Sequence, residues 1–139
     1  MTIKVGDKMP VGGFGVMGAD GPGALSSDDL FKGKKVVLFS VPGAFTPACS
    51  SKHLPGFIQN AAALKGKGVD TIACLSVNDV FVMGAWAKDQ GAGDKVTLLA
   101  DGSGTYTKAL GLELDASGFG MGTRGQRFAI VVDDGVVQQ

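Results

Sequence analysis

Apolar residues along this chain come in short unbroken runs rather than in one repeating pattern, and glycine or polar residues close most of them. Val36-Val37-Leu38-Phe39, set between Lys34-Lys35 and Ser40, reads as a strand buried on both faces. The run from Val69 to Val77, ending at Asn78-Asp79, and the run from Val96 to Asp101 read the same way. Between the first two strands Leu54, Phe57, Ile58, Ala61, Ala62 and Leu64 recur near helical spacing, which predicts helix from Pro47 to about Lys67. Pro55 falls inside that region and predicts a bend joining a short helix that carries Cys49 to a longer one. Phe81 to about Gln90 reads as a second helix ended by Gly91, and Thr105 to Leu110 as a short one closed by Gly111. A strand, helix, strand order implies a right-handed crossover and parallel pairing.

The two ends carry different signals. Residues 1–34 are rich in turn chemistry, such as Gly12-Gly13 and Ala19-Asp20-Gly21-Pro22-Gly23, and predict short strands or an irregular arm. Leu25 to Phe31 has a serine-led acidic start and predicts one helical turn before Gly33. Near the other end, the glycine-rich run Ser117 to Gly122 leads into Thr123-Arg124-Gly125-Gln126. A hairpin follows, with Arg127 to Val132 as one arm, Asp133-Asp134-Gly135 as the turn, and Val136-Val137 opening the other arm. No linker, repeat or low-complexity stretch interrupts the chain, so residues 1–139 are expected to form a single α/β domain.

Composition narrows the function more than the fold. Thirteen basic residues balance thirteen acidic ones, with no dense Lys and Arg cluster, so nucleic acid is not an expected partner. No apolar run approaches the roughly 18 residues that span a bilayer, and Met1-Thr2-Ile3-Lys4 lacks a signal-peptide layout, so no membrane role and a cytoplasmic location are expected. Two cysteines, Cys49 and Cys74, are too few for a disulfide framework. No Cys or His pair has metal-ligand spacing, and Ser117 to Gly122 lacks the strand-to-helix setting of a dinucleotide fingerprint, so neither metal nor cofactor is expected.

The candidate chemistry lies in Val41-Pro42-Gly43-Ala44-Phe45-Thr46-Pro47-Ala48-Cys49-Ser50, directly after the first strand. Two prolines and a glycine restrict this loop, and Thr46 before Pro47 suits the cap and first turn of a helix. Cys49 would then lie near unsatisfied helix amides, which favour negative charge and raise the thiolate fraction. The bland alternative is a buried core cysteine. His53, the one histidine, stands four residues on, and is read as a surface helix residue rather than a partner for Cys49.

Alternating strands and helices followed by a hairpin look like a thioredoxin-type sheet, and the residues themselves resemble a known family. Pro42-Gly43-Ala44-Phe45-Thr46-Pro47-Ala48-Cys49 matches the peroxiredoxin signature Pro-x-x-x-Thr-x-x-Cys, and its surroundings resemble the type II, or peroxiredoxin five, group. Val77-Asn78-Asp79-Val80-Phe81-Val82-Met83 and Arg124-Gly125-Gln126-Arg127-Phe128-Ala129 extend the likeness from about Lys4 to Val137. The resemblance implies a thioredoxin-like fold with a central mixed sheet flanked by helices, and residues 1–139 are expected not to include the C-terminal helix usual in the family.

It further implies a thiol-dependent peroxidase that reduces hydrogen peroxide and alkyl hydroperoxides, with a low-turnover peroxide sensor or redox relay as the alternative. Cys49 would be the peroxidatic nucleophile that cycles through sulfenic acid, and Thr46 the hydroxyl that bonds the peroxide, beside or instead of capping. Arg124, otherwise a solvated loop residue, would hold the thiolate and polarise the peroxide, and Pro42, otherwise a loop stiffener, would shield the sulfur. Cys74 would be either the resolving thiol or an inert core cysteine. In the second case glutaredoxin, thioredoxin or glutathione would restore Cys49. Simple thioredoxin-like exchange is disfavoured because Thr46, not a second cysteine, stands three residues before Cys49. A homodimer through loops near Phe45 and Phe81 is also implied.

Overall fold

The apolar run at residues 36–39 lies near the centre of the sheet on which everything else is hung. A computed structural model of the chain describes residues 2–18, 20–46, 54–92 and 95–139. In it β1 (Gly13–Gly18) and β2 (Gly21–Ser26) pair antiparallel, followed by α1 (Ser27–Phe31) and β3 (Lys35–Ser40). Next come α2 (Leu54–Gln59), α3 (Ala61–Gly66), β4 (Thr71–Ser76), α4 (Val80–Gln90), β5 (Thr97–Ala100) and α5 (Thr105–Leu110). The chain continues through β6 (Glu113–Asp115), a 3-10 turn (Ser117–Phe119), β7 (Thr123–Gly125), β8 (Phe128–Asp133) and β9 (Val136–Val137). Seven strands form one mixed sheet in the order β2-β1-β5-β4-β3-β8-β9, while β6 and β7 pair separately.

Continuous apolar runs are required because both faces of this sheet are covered. Side chains alternate along a strand, so one face receives Val37, Phe39, Ile72, Cys74 and Leu98, packed with Leu54, Ala61, Met83 and Trp86 from α2, α3 and α4. The other receives Val36, Leu38, Ala73, Leu75 and Leu99, packed with Leu30 and Phe31 of α1 and Tyr106 and Leu110 of α5. Each fully buried Leu or Phe contributes about 1.5–3 kcal/mol, so the three central strands dominate the apolar stabilisation. β3 runs parallel to β4, with Val36 opposite Thr71 and Ser40 opposite Leu75, and β4 runs parallel to β5. Their carboxyl ends therefore lie at one edge of the sheet, where open α/β sheets present loops to a ligand.

Helix ends follow the sequence signals where a cap exists. Ser26 accepts the Asp29 amide at the start of α1, and Asp79 accepts the Val82 amide at 2.8 Å at the start of α4. Gly91 ends α4 in the left-handed region with φ 67°. On α4, Met83 and Trp86 turn inward while Phe81 stays 66% exposed.

Three local expectations need correction. The longer helix expected to run to about Lys67 is broken at Asn60, between α2 and α3; Pro55 sits in the first described turn of α2, and the segment that the bend at Pro55 was to join lies outside the described residues. Asn60 adopts φ −98°, ψ 6°, and its side-chain amide donates to the Gly56 carbonyl at 2.7 Å, competing with the helical ladder. The short helix expected to carry Cys49 lies outside the described residues. The hairpin turn is Asp134-Gly135 alone, with φ 48° and 80°, because Asp133 already pairs with Val136. That pair of positive φ values fits the tight turn that matches strand twist. Finally, β6 and β7 form a two-stranded ribbon where only a glycine-rich loop and connecting residues were read.

Candidate functional site

The site is assembled at the carboxyl ends of β3 and β4 by three pieces: the loop at residues 41–46, the corner at residues 76–79, and β7. The loop leaves β3 with the Val41 amide still bonded to the Leu75 carbonyl at 3.2 Å, so its first residue is anchored to β4. Thr46 then closes the turn, donating from Oγ1 to the Gly43 carbonyl at 2.6 Å. With that proton committed, the Thr46 oxygen presents lone pairs to any group placed beside it. Phe45 occupies the left-handed region with φ 64°, is half exposed, and lies 6.5 Å from the buried Trp86 ring. A bulky residue there stores about 1–2 kcal/mol of strain, which surrounding contacts must hold.

Those contacts come from the corner. Asn78 Oδ1 accepts the Ala44 amide at 2.9 Å, fixing the loop one residue before the strained position. Next to it, the Val77 carbonyl accepts Nη1 of Arg124 at 3.2 Å. Arg124 is half buried, and its Nε donates to the Met121 carbonyl at 3.1 Å. A guanidinium carries five N–H donors, so these two carbonyls hold the plane and leave the other donors for an anion.

β7 brings Arg124 into this position. Leu114 of β6 lies opposite Arg124, and the Gln126 amide bonds the Leu112 carbonyl at 2.8 Å. Hydrogen bonds from the side chain and then the backbone of Ser117 hold the exposed Asp115 carboxyl below its ordinary range. The contribution of that turn is therefore present above the ordinary aspartate pKa and lost as pH falls through the lowered one. Asp101, buried at the end of β5, accepts the Tyr106 and Thr107 amides and the Thr107 hydroxyl, at 3.2, 2.8 and 2.7 Å, and so fixes α5. Thr107 in turn abuts Gly125: a Cβ on that glycine would lie 3.4 Å from Thr107 Cγ2 and 3.0 Å from Ser40 Oγ. Glycine at 125 thus lets β7 settle against the end of β3, directly after Arg124.

Gly43 is the meeting point. A Cβ there would fall 3.1 Å from Thr46 Cγ2, 3.2 Å from Arg124 Nη1 and 3.4 Å from Met121 Cε, so a larger residue would press on all three. The structure thus brings Thr46, Gly43 and Arg124 together, although Arg124 and Thr46 are far apart in sequence. Pro42, half buried, lies in the same loop. Cys49 and His53 lie outside the described residues. Cys74 is fully buried mid-strand in β4, opposite Phe39 on β3 and Leu98 on β5.

Asn78, Val77 and Met121 were given no role by the sequence. Two of them act through backbone carbonyls, which side-chain chemistry cannot reveal, whereas Asn78 stood in a quoted motif and was visible as a polar residue at a strand end. Among the described residues, no group of three or more His, Cys, Asp or Glu is placed to hold a metal ion, and no helix is long and apolar enough to cross a membrane.

Comparison with known proteins sets this geometry in context. Residues 4–139 match the Redoxin family model. The chain is 56% identical over 133 residues to peroxiredoxin-2C of Oryza sativa subsp. japonica, covering 95% of this chain and 82% of that protein. It is 50% identical over 141 residues to the chloroplastic peroxiredoxin-2E of Arabidopsis thaliana, covering 99% of this chain but only 60% of that protein. Its fold superposes with a TM-score of 0.95 on reduced Prx3 of Vibrio vulnificus in complex with hydrogen peroxide, at 51% identity, covering 99% of this chain and 86% of that one.

Proposed function

Because the chain belongs to the peroxiredoxin family, within the redoxins, we propose that it is a thiol-dependent peroxidase acting on hydrogen peroxide and alkyl hydroperoxides. The observation that carries this reading is the convergence of Thr46 and Arg124 on Gly43, three to six residues before Cys49 in the chain. Cys49 follows Thr46 by only three residues, a stretch of chain that reaches at most about 11 Å. In the proposed reaction the Cys49 thiolate attacks one peroxide oxygen: an S–O bond forms, the O–O bond breaks, and its electron pair leaves on the distal oxygen as hydroxide or alkoxide. Arg124 stabilises the thiolate before attack and the leaving oxygen during it. The Thr46 oxygen accepts a hydrogen bond from the peroxide O–H and so orients the substrate. Pro42 limits access of water to the sulfur. A second thiol then attacks the sulfenic acid, giving a disulfide and water, and another thiol reduces that disulfide.

We assign the resolving thiol to an external reductant such as thioredoxin, glutaredoxin or glutathione, and Cys74 to the core. Burial of Cys74 between Phe39 and Leu98 supports this, because a disulfide needs α-carbons within about 7 Å and a sulfur free to turn outward. The names of the relatives favour turnover over a low-turnover sensor or relay. A reducing, thiol-rich compartment such as the cytoplasm would supply the reductant, and residues 1–139 are read as one domain because both faces of a single sheet are covered. The test supplies each reductant in turn and follows peroxide consumption. The Cys74→Ala variant is expected to retain at least half of wild-type turnover with at least one of them. Loss of turnover with all three, in a folded variant, would assign resolution to Cys74.

The protein is proposed to work as a homodimer through the loops near Phe45 and Phe81. Phe45 is 50% exposed and Phe81 66% exposed, which is costly for two aromatic rings to leave in water. Phe81→Glu is expected to convert the dimer to monomer at micromolar concentration in sedimentation velocity. A concentration-independent monomer mass for the wild type would refute the dimer.

A further inference from the structure

Asn78 joins the two halves of the site. Its Oδ1 accepts both the Ala44 amide at 2.9 Å and the Ser76 hydroxyl at 2.5 Å. An amide oxygen has two lone pairs, so both donors can be satisfied at once. Ser76 is buried, and its hydroxyl lies only 3.4 Å from the Val41 carbonyl, so the short contact to Asn78 takes its proton. The residue before Asn78 holds Arg124 through the Val77 carbonyl, and the residue after it, Asp79, caps α4. The corner is thus rigid at both ends, and one side chain transmits its position to the loop. That loop needs an external hold, because Phe45 sits in a left-handed conformation directly after Ala44.

We infer that Asn78 is a positioning residue for the peroxide step: through Ala44 it sets where the Thr46 oxygen stands relative to Arg124, which the same corner holds through Val77. The inference rests on the peroxidase reading above. Removing the acceptor frees the strained turn to relax, which displaces Thr46 while leaving the bond of Arg124 to Val77 in place. A displacement of about 1 Å in a positioned group can cost up to about 10²-fold in rate.

The experiment compares wild type, Asn78→Ala and Asn78→Asp, each fully reduced. Two rates are measured for each: single-turnover oxidation of Cys49 by hydrogen peroxide, and alkylation of Cys49 by iodoacetamide, which needs the thiolate but not the peroxide contacts. Asn78→Ala is expected to slow the peroxide step about 10- to 100-fold and alkylation less than about 3-fold. Asp keeps an acceptor for both donors, so Asn78→Asp is expected to recover most of the peroxide rate at pH values where its Cys49 is fully ionised. An unchanged peroxide rate in Asn78→Ala overturns the inference, as does an equal loss of both rates that Asn78→Asp fails to rescue. If the alanine variant does not fold, Asn78→Gln, which moves the acceptor by one methylene, is expected to show the same selective loss, and its absence counts against the inference. A wild type inert to peroxide overturns the peroxidase reading as well, whereas a reactive wild type with an unaffected Asn78→Ala overturns the inference alone.

Discussion

Replacing Cys49 with serine is expected to abolish peroxide consumption with every thiol reductant, to below about 10⁻³ of the wild-type rate. A serine hydroxyl is far less acidic than a thiol and its oxygen is a poor nucleophile towards another oxygen, so the S–O bond-forming step has no substitute. In the proposed cycle the Cys49 thiol is the group oxidised, and Cys74 is fully buried in β4 between its strand neighbours, so it offers no ready replacement. Stability should change little, since one oxygen replaces one sulfur. A continuous assay with reductant, paired with a thermal melt to show that the variant is folded, reads both quantities. Retained turnover in a folded Cys49→Ser protein would remove the chemical basis of the proposed function.

Arg124→Gln is expected to lower the rate of the peroxide step about 10²- to 10³-fold, the loss typical of removing one fixed donor from a developing oxyanion. The loss has two parts that pH separates. Without the guanidinium the thiolate is less favoured, so the pH at which Cys49 becomes reactive rises, and a rate measured above that pH recovers this share. Stabilisation of the leaving oxygen is not recovered at any pH, because Gln offers no permanent charge. Glutamine keeps an N–H donor for the Val77 or Met121 carbonyl, which limits collapse of the loop. Plotting single-turnover rate against pH for both proteins separates the shift from the residual deficit. Coincident profiles would show that Arg124 serves only to tie β7 to the corner.

How much of this site the sequence displayed depends on which bonds build it. The strands were legible because sheet burial on both faces leaves an unbroken apolar signature, as at Val36 to Phe39 and Ile72 to Leu75. α4 was legible from its apolar residues and from Gly91, which ends it, whereas the cap that Asp79 supplies at its start shows only in the folded chain. Thr46 and Arg124 were legible as residue types within a family pattern, but their convergence on Gly43 depends on close approaches that no periodicity records. The β6 and β7 ribbon was missed because each strand has only three residues and Glu113, Leu114 and Asp115 are all exposed, so no alternation survives. The break at Asn60 leaves no mark in the apolar spacing, because the side-chain bond from Asn60 to Gly56 depends on folded geometry. The carbonyls of Val77 and Met121 belong to the backbone and carry no residue code at all.

The central claim is that Cys49, served by Thr46 and Arg124, takes one oxygen from a peroxide. The most direct measurement treats the reduced protein with one equivalent of hydrogen peroxide in the presence of a sulfenic-acid trap, then locates the trap by peptide mass spectrometry. The expected result is one trap per chain, on Cys49, with Cys74 unmodified. Peroxide consumed with Cys49 still a free thiol, or the trap found on another residue, would contradict it.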